Sequence, residues 1–249
     1  RYLGDPLSGQ TPHSLRVLTW NLGKVYQAKW DSRASDDDLD HVAQVIRAVN
    51  PHVVALQELR GPRQLGRLAA LLGRAWRAKV PEDAYDRRAG LLVRLPARFV
   101  SLPTSSGRIA QGAVITAPGG GEFSVASVHL DAFDADRRLL QAEEVLAGLR
   151  RLEPTDLLLV GDFNFDPAVV AQDSTDHRLY RFLTRELSDA GRSAGATSVI
   201  SQRLDYVFYR SARVKRTTAE VLRGKRINIM DHDPLLVELH LSPVEPKKE

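Results

Sequence analysis

The sequence predicts an α/β protein built of packed sheets flanked by helices, and three observations predict it. Many short apolar runs, most of them alternating, are too short for core helices and read as strands. Three or four longer stretches carry apolar residues at helical spacing. Finally, the two kinds of element do not alternate regularly, which argues against a single sheet of repeated strand–helix–strand units. With 249 residues, 43% of them hydrophobic, the chain can bury a substantial core. No repeat or low-complexity tract divides it, so a single domain over 1–249 is expected, with a core of about 15–241 and polar ends at 1–14 and 242–249.

The first strand is Leu15 to Asn21, which alternates and ends in an amide that opens the loop Leu22-Gly23-Lys24. Asn21 reads locally as a turn-former or as a ligand. Ser35-Asp36-Asp37-Asp38 caps a helix carrying Leu39, Val42, Ala43, Ile46 and Val49, where the acids suit the positive end of the helix dipole. Pro51 stops it, and Val53 to Leu56 is a buried strand delivering Gln57 and Glu58. A carboxylate there is hard to place as solvated decoration, and hard divalent cations want such oxygens, so Glu58 is the first metal candidate. Pro62 to Gly73 is an amphipathic helix. Strands follow at 75–80, 89–95, 99–102 and 112–116, and the Gly119-Gly120-Gly121 turn leads into a strand closed by His129.

Asp134 to Arg151 is an amphipathic helix whose doublets Arg137-Arg138 and Arg150-Arg151 read as a solvated face. Leu157 to Val160, four aliphatic residues followed by Gly161-Asp162-Phe163-Asn164, is a buried strand that ends in a cleft. On an extended backbone Asp162 and Asn164 face the same way. The competing reading is an ordinary Asx turn at a strand end. A helix at 178–187, a Gly/Ser-rich loop at 191–201, a strand at 203–209 with Asp205 near its start, and a closing strand at 235–239 complete the chain.

The formal net charge is +4 and the pI about 9.5, which suits a polyanionic partner such as nucleic acid or an anionic membrane. The absence of cysteine excludes thiol catalysis, thiolate metal sites and disulfides. No run approaches the roughly 18 apolar residues a membrane span needs. The sequence starts at Arg1 rather than Met, which together with the lack of cysteine tilts the expectation toward an exported or cell-envelope protein. Arg223-Gly224-Lys225-Arg226 is the densest basic stretch and precedes Met230-Asp231-His232-Asp233-Pro234; this adjacency favours contact with an anionic substrate, against the commoner solvated charge run. Arg108 could likewise reach a phosphate.

Taken in order, Asn21, Gln57-Glu58, Val128-His129-Leu130, Gly161-Asp162-Phe163-Asn164, Arg203-Leu204-Asp205-Tyr206 and Asp231-His232-Asp233-Pro234 resemble the endonuclease/exonuclease/phosphatase superfamily, the deoxyribonuclease-I-like metal-dependent phosphohydrolases. The resemblance runs from Val17 to Leu241 and implies a four-layer α/β/β/α sandwich of two mixed sheets face to face with helices outside. It implies that Glu58 holds a catalytic Mg²⁺, with Mn²⁺ or Ca²⁺ as alternatives, and that Asn21 and Asp231 lie nearby. Asp162 would activate the attacking water, Asn164 would orient it or the phosphate, His232 would hydrogen-bond the phosphoryl oxygen with its tautomer fixed by Asp205, and His129 would assist from the other side. Arg108, Arg223, Lys225 and Arg226 are the expected substrate contacts.

The glutamate that partners the equivalent of His129 in deoxyribonuclease-like members has no clear counterpart, and Glu82, Asp83 and Asp86 are the candidates. Met230 stands where a serine is common. The expected activity is metal-dependent hydrolysis of a phosphodiester, with nucleic acid the favoured substrate, a monomer, and no obligate protein partner. A sphingomyelinase-like lipid phosphodiesterase or an inositol-polyphosphate phosphatase on the same core is the alternative, and a non-catalytic binding module stands behind both.

Overall fold

The structure, a computed structural model, describes residues 13–23, 34–81, 88–227 and 230–244. In chain order these form β1 (Ser14–Asn21), α1 (Asp38–Val49), β2 (Val53–Leu59), α2 (Pro62–Leu72), β3 (Arg77–Lys79), β4 (Arg88–Val93), β5 (Ala97–Leu102), β6 (Ala110–Thr116), β7 (Glu122–His129), α3 (Ala135–Arg150), β8 (Asp156–Asp162), α4 (Thr175–Thr184), β9 (Ser188–Asp189), β10 (Asp205–Arg210), β11 (Val214–Val221) and β12 (Leu235–Leu241). One six-stranded sheet runs β11-β12-β1-β2-β4-β3 and the other β5-β6-β7-β8-β10-β9. Each is mixed, with one parallel pair: β1 beside β2 in the first, β7 beside β8 in the second.

Strand alternation builds three apolar layers. The inward positions Leu15, Val17, Val53, Ala55, Val237 and Leu239 of the first sheet meet Phe123, Val125, Leu158, Val160 and Val207 of the second. The opposite face of the first sheet (Leu18, Trp20, Val54, Leu56) is covered by α1 and α2 through Leu39, Val42, Ile46, Leu65 and Leu68. Ala126, Val128, Leu157, Leu159, Tyr206 and Phe208, on the outer face of the second sheet, are covered by α3 and α4 through Val145, Leu146, Leu149, Leu179 and Leu183. The result is the expected α/β/β/α sandwich.

Several elements differ from the sequence reading for identifiable reasons. The α1 cap is reciprocal: Ser35 Oγ accepts from Asp38 N at 3.4 Å while Asp38 Oδ2 accepts from Ser35 N (2.6 Å) and Oγ (2.7 Å), and Asp37 at the N-cap makes no side-chain capping bond. The fourth helix starts at Thr175 because Ser174 Oγ accepts from His177 N at 3.2 Å, and it ends at Thr184. The strand expected at 75–80 is only Arg77–Lys79. The sequence reading missed β11 altogether: its core-facing Val214, Ala219 and Val221 are broken up by a threonine and by a register shift between Val214 and Arg216, so no clean alternation marks them, and the charges of Lys215, Arg216 and Glu220 on the other side protect the sheet edge.

Arg138 is buried rather than part of a solvated face. Its Nε and Nη2 donate to Asp176 Oδ1 (2.8 Å) and Oδ2 (2.7 Å), tying α3 to α4, and its Nη1 donates to Asp131 O. Arg137 beside it is solvated as expected. A bidentate pair satisfies the guanidinium out of water, which the helical spacing could not reveal.

Candidate active site

The inward row of the sandwich core changes character at one end. On each of five strands the next inward position past the apolar ones is polar: Asn21 after Val17 and Thr19, Gln57 after Val53 and Ala55, His129 after Val125 and Ser127, Asp162 after Leu158 and Val160, and Asp205 ahead of Val207. Thr19, Gln57 and Ser127 form the transition, with Thr19 Oγ1 donating to Gln57 Oε1 and Gln57 Nε2 donating to Ser127 Oγ, both at 3.4 Å. Registration makes the row coherent: Asn21 lies beside Gln57, and Asp162 lies between His129 and Asp205.

Asp162 is the point of convergence. Its Oδ2 accepts from Asn21 Nδ2 at 2.9 Å and lies 3.6 Å from His129 Nε2 and 3.8 Å from His232 Nε2. Its Oδ1 accepts from Asn164 N at 2.8 Å. The Asx turn is therefore real and coexists with the site. The strand ends at Asp162, and Asn164 is in the left-handed region (φ 54°), so these two side chains are not related by extended alternation. Asn164 Nδ2 instead donates to Leu130 O at 3.0 Å, bracing the loop after β7. Asn21 combines both of its readings as well, since its Oδ1 accepts from Gly23 N at 2.7 Å.

Glu58 reaches the site through a bulge. By alternation it would follow Leu56 onto the helix-covered face, but it adopts φ 57° where the β2–β4 register shifts between Leu56 and Leu59. Its carboxylate comes within 2.7 Å of where a Cβ on Gly23 would stand, and Asn21 Oδ1 within 3.0 Å of the same point. Only glycine leaves room for this approach. Glu58 and His232 are thus linked through Asn21 and Asp162 on one side of the molecule.

His232 is held from three directions. Its Nδ1 shares a 2.7 Å hydrogen bond with Asp205 Oδ2, its carbonyl accepts from Trp20 Nε1 at 3.1 Å, and Asp231 Oδ1 lies 4.0 Å from its Nε2. Burial alone would lower the His232 pKa. The charges of Asp205 and Asp162, the hydrogen bond to Asp205 and the charge of Asp231 more than reverse that and raise it to about 10. These carboxylates favour the protonated ring, the form in which both nitrogens donate.

Asp162, Asp205 and His232 offer three ligand atoms within 4.8 Å of one another. His232 Nδ1 is bonded to Asp205 and its Nε2 faces Asp162, an arrangement suited to holding and passing a proton. Hard oxygen donors lie beside it: the Glu58 carboxylate, Asn21 Oδ1, and Asp231 Oδ1, which is buried without a hydrogen-bond partner. An orphaned carboxylate oxygen at the rim of an all-oxygen group fits a divalent cation.

The expected substrate contacts are placed differently from one another. Arg108 Nη1 donates to His129 O at 3.2 Å, and Arg226 Nη1 lies 3.7 Å from Asp233 Oδ2, so both border the site. Arg223 approaches Gly195, and Lys225 is exposed, its carbonyl meeting His41 Nε2. Glu82, Asp83 and Asp86 lie outside the described residues.

Two residues that position the site escaped the sequence reading. Thr197 Oγ1 accepts from Leu204 N (3.0 Å) and Asp205 N (3.1 Å), while its carbonyl accepts from Asp233 N at 2.7 Å. Nothing in its Gly/Ser-rich loop marks it. Trp20 had a signal, because a buried indole N–H needs an acceptor.

A model of the endonuclease/exonuclease/phosphatase family matches residues 18–227, and members of that family are in general divalent-metal-dependent hydrolases of phosphoester bonds. No curated protein matches the chain. Among solved structures, it is similar to an endonuclease/exonuclease/phosphatase from Bacteroides vulgatus (TM-score 0.71, 19% identity, covering 92% of this chain and 99% of that one). It is also similar to one from Beutenbergia cavernae (0.69, 23%, 92% and 72%) and to truncated TDP2 from Caenorhabditis elegans (0.67, 14%, 91% and 98%). Those likenesses concern the fold; with the family match covering most of the sequence, the chain belongs to the endonuclease/exonuclease/phosphatase family.

Proposed function

We propose that this protein is a divalent-metal-dependent phosphodiester hydrolase acting on nucleic acid. The observation that carries the reading is the meeting of Asn21, His129 and His232 on one carboxylate oxygen, Asp162 Oδ2. In this reading Asp162 takes the proton of the attacking water and Asn21 and Asn164 keep its carboxylate oriented. His232 donates from Nε2 to a non-bridging phosphate oxygen, and Asp205, bonded to Nδ1, holds the ring and stabilises its charge. His129 faces the same oxygen from the second sheet and is placed to donate to the leaving oxygen. Glu58, Asn21 and Asp231 are the residues that would hold Mg²⁺, which when bound neutralises charge on the phosphate.

The net charge of +4 and the arginines bordering the site favour a polyanion. Plasmid DNA should be cleaved with Mg²⁺ and spared when a chelator is added; cleavage that survives chelation would refute the metal dependence. One observation favours the lipid phosphodiesterase instead: Phe133 (93% exposed), Val169, Val199 and Ile200 stand in solvent on loops that leave the ends of the strands bearing the site. Turnover of sphingomyelin vesicles while DNA and RNA stay intact would decide for that reading.

A further inference from the structure

Two glycines border the catalytic cluster, and they are glycine for different reasons. Gly161 has φ 142°, and a Cβ there would run into the backbone of Val128, so a side chain would push β7 away from β8. Gly23, just past the end of β1, has a φ outside the left-handed region, so an added Cβ would cost space and no backbone strain. That space is taken by oxygen donors of the site: Glu58 Cδ and Oε2 lie 2.7 Å from where the Cβ would stand, and Asn21 Oδ1 lies 3.0 Å from it.

The backbone of Gly23 has nowhere to retreat. Leu22, fully buried, donates its N–H to Gln57 O at 3.1 Å, and its carbonyl accepts from Ala34 N at 3.1 Å, which pins the chain to the end of β2 on one side and to the approach to α1 on the other. Gly23 N donates to Asn21 Oδ1 at 2.7 Å, and Asn21 Nδ2 is held by Asp162 Oδ2 at 2.9 Å. With both of those fixed, the part that must give way to a methyl group is the far end of the Glu58 side chain. Moving it costs the fold little, since that end turns about side-chain bonds and the strand itself stays in place.

We infer that Gly23 is a positioning residue for the divalent cation: its missing side chain is the slot that brings the Glu58 carboxylate up to Asn21 Oδ1, and filling the slot separates two oxygen donors while the fold survives. The inference rests on the metal-dependent reading and deepens it, by making metal affinity depend on a residue that offers no side-chain ligand atom.

The test is Mn²⁺ binding by the metal-free protein, read from the free-ion signal in electron paramagnetic resonance, with melting in EDTA as the measure of folding. Gly23→Ala should weaken binding about 10- to 100-fold and leave the melting temperature unchanged. Gly66→Ala adds the same methyl group at an exposed position of α2 where a Cβ meets nothing within 4 Å, and should bind Mn²⁺ as the wild type does. In a Glu58→Gln background, itself weakened, Gly23→Ala should add little further loss, because the group it displaces no longer holds the cation. Wild-type binding by Gly23→Ala, an equal loss in Gly66→Ala, a further loss of full size on top of Glu58→Gln, or melting well below the wild type in EDTA would each overturn the inference. Wild-type binding by Glu58→Gln, read on a protein that keeps Gly23, would instead overturn the place of Glu58 in the metal reading.

Discussion

Two buried histidines stand at opposite ends of the first sheet, and their surroundings shift their pKa values in opposite directions. His52 precedes β2, accepts from Arg16 N through Nδ1 at 3.0 Å, and has its pKa lowered to about 4 by burial and by the charges of Arg94 and Arg16. His232 precedes β12, at the end where β1 and β2 deliver Asn21 and Glu58, and its carboxylate neighbours raise its pKa to about 10. Burial lowers both; the sign of the nearby charge decides the outcome. At the first end the fold only has to close, and a neutral ring that accepts a backbone hydrogen bond suffices. At the other, five strands place polar groups inward with their charges facing one another, an arrangement that packing alone would not favour.

The largest effect that would break this contrast is at Asp162. Asp162→Asn should lower turnover by about 10²- to 10⁴-fold with little change in melting temperature, as measured by steady-state hydrolysis and calorimetry. Activity near that of the wild type would return the cluster to a structural role. His232→Ala should cost about 10²- to 10³-fold in kcat, and a KM-only effect would remove it from the transition state. Leu158→Ala, two inward positions before Asp162 on β8, should do the reverse: about 2–5 kcal/mol of stability lost in denaturant titration, with the folded fraction still active.

The smallest effect concerns His52. Its folded pKa lies below the unfolded value near 6.5, so its contribution to stability is present above that value and is lost as pH falls toward 4. His52→Gln should flatten that acid limb in melting curves taken across the range; an unchanged limb would show that His52 does not control it.

Much of this was legible in one dimension because a strand's period of two is a local property. A run such as Leu157 to Val160 followed by Gly-Asp-Phe-Asn announces both a buried strand and a polar end, and the same held for Asn21, His129 and Asp205. Legibility stopped where backbone departs from the period or where partners lie far away in sequence. The positive φ of Glu58 and Asn164 overrides alternation, and Arg138 is buried by an aspartate on another helix. Thr197 earns its place only through three backbone groups in two other segments.

The sequence by itself determined the class of the fold, most of the runs that are strands, and which of them end in an amide, a carboxylate or a histidine, since each follows from a residue and its near neighbours. Only the tertiary structure decided that Asp162 Oδ2 is the shared point and that the carboxylates of Asp162, Asp205 and Asp231 gather round His232. Distances between distant segments and the electric field they create exist only once the two sheets have packed.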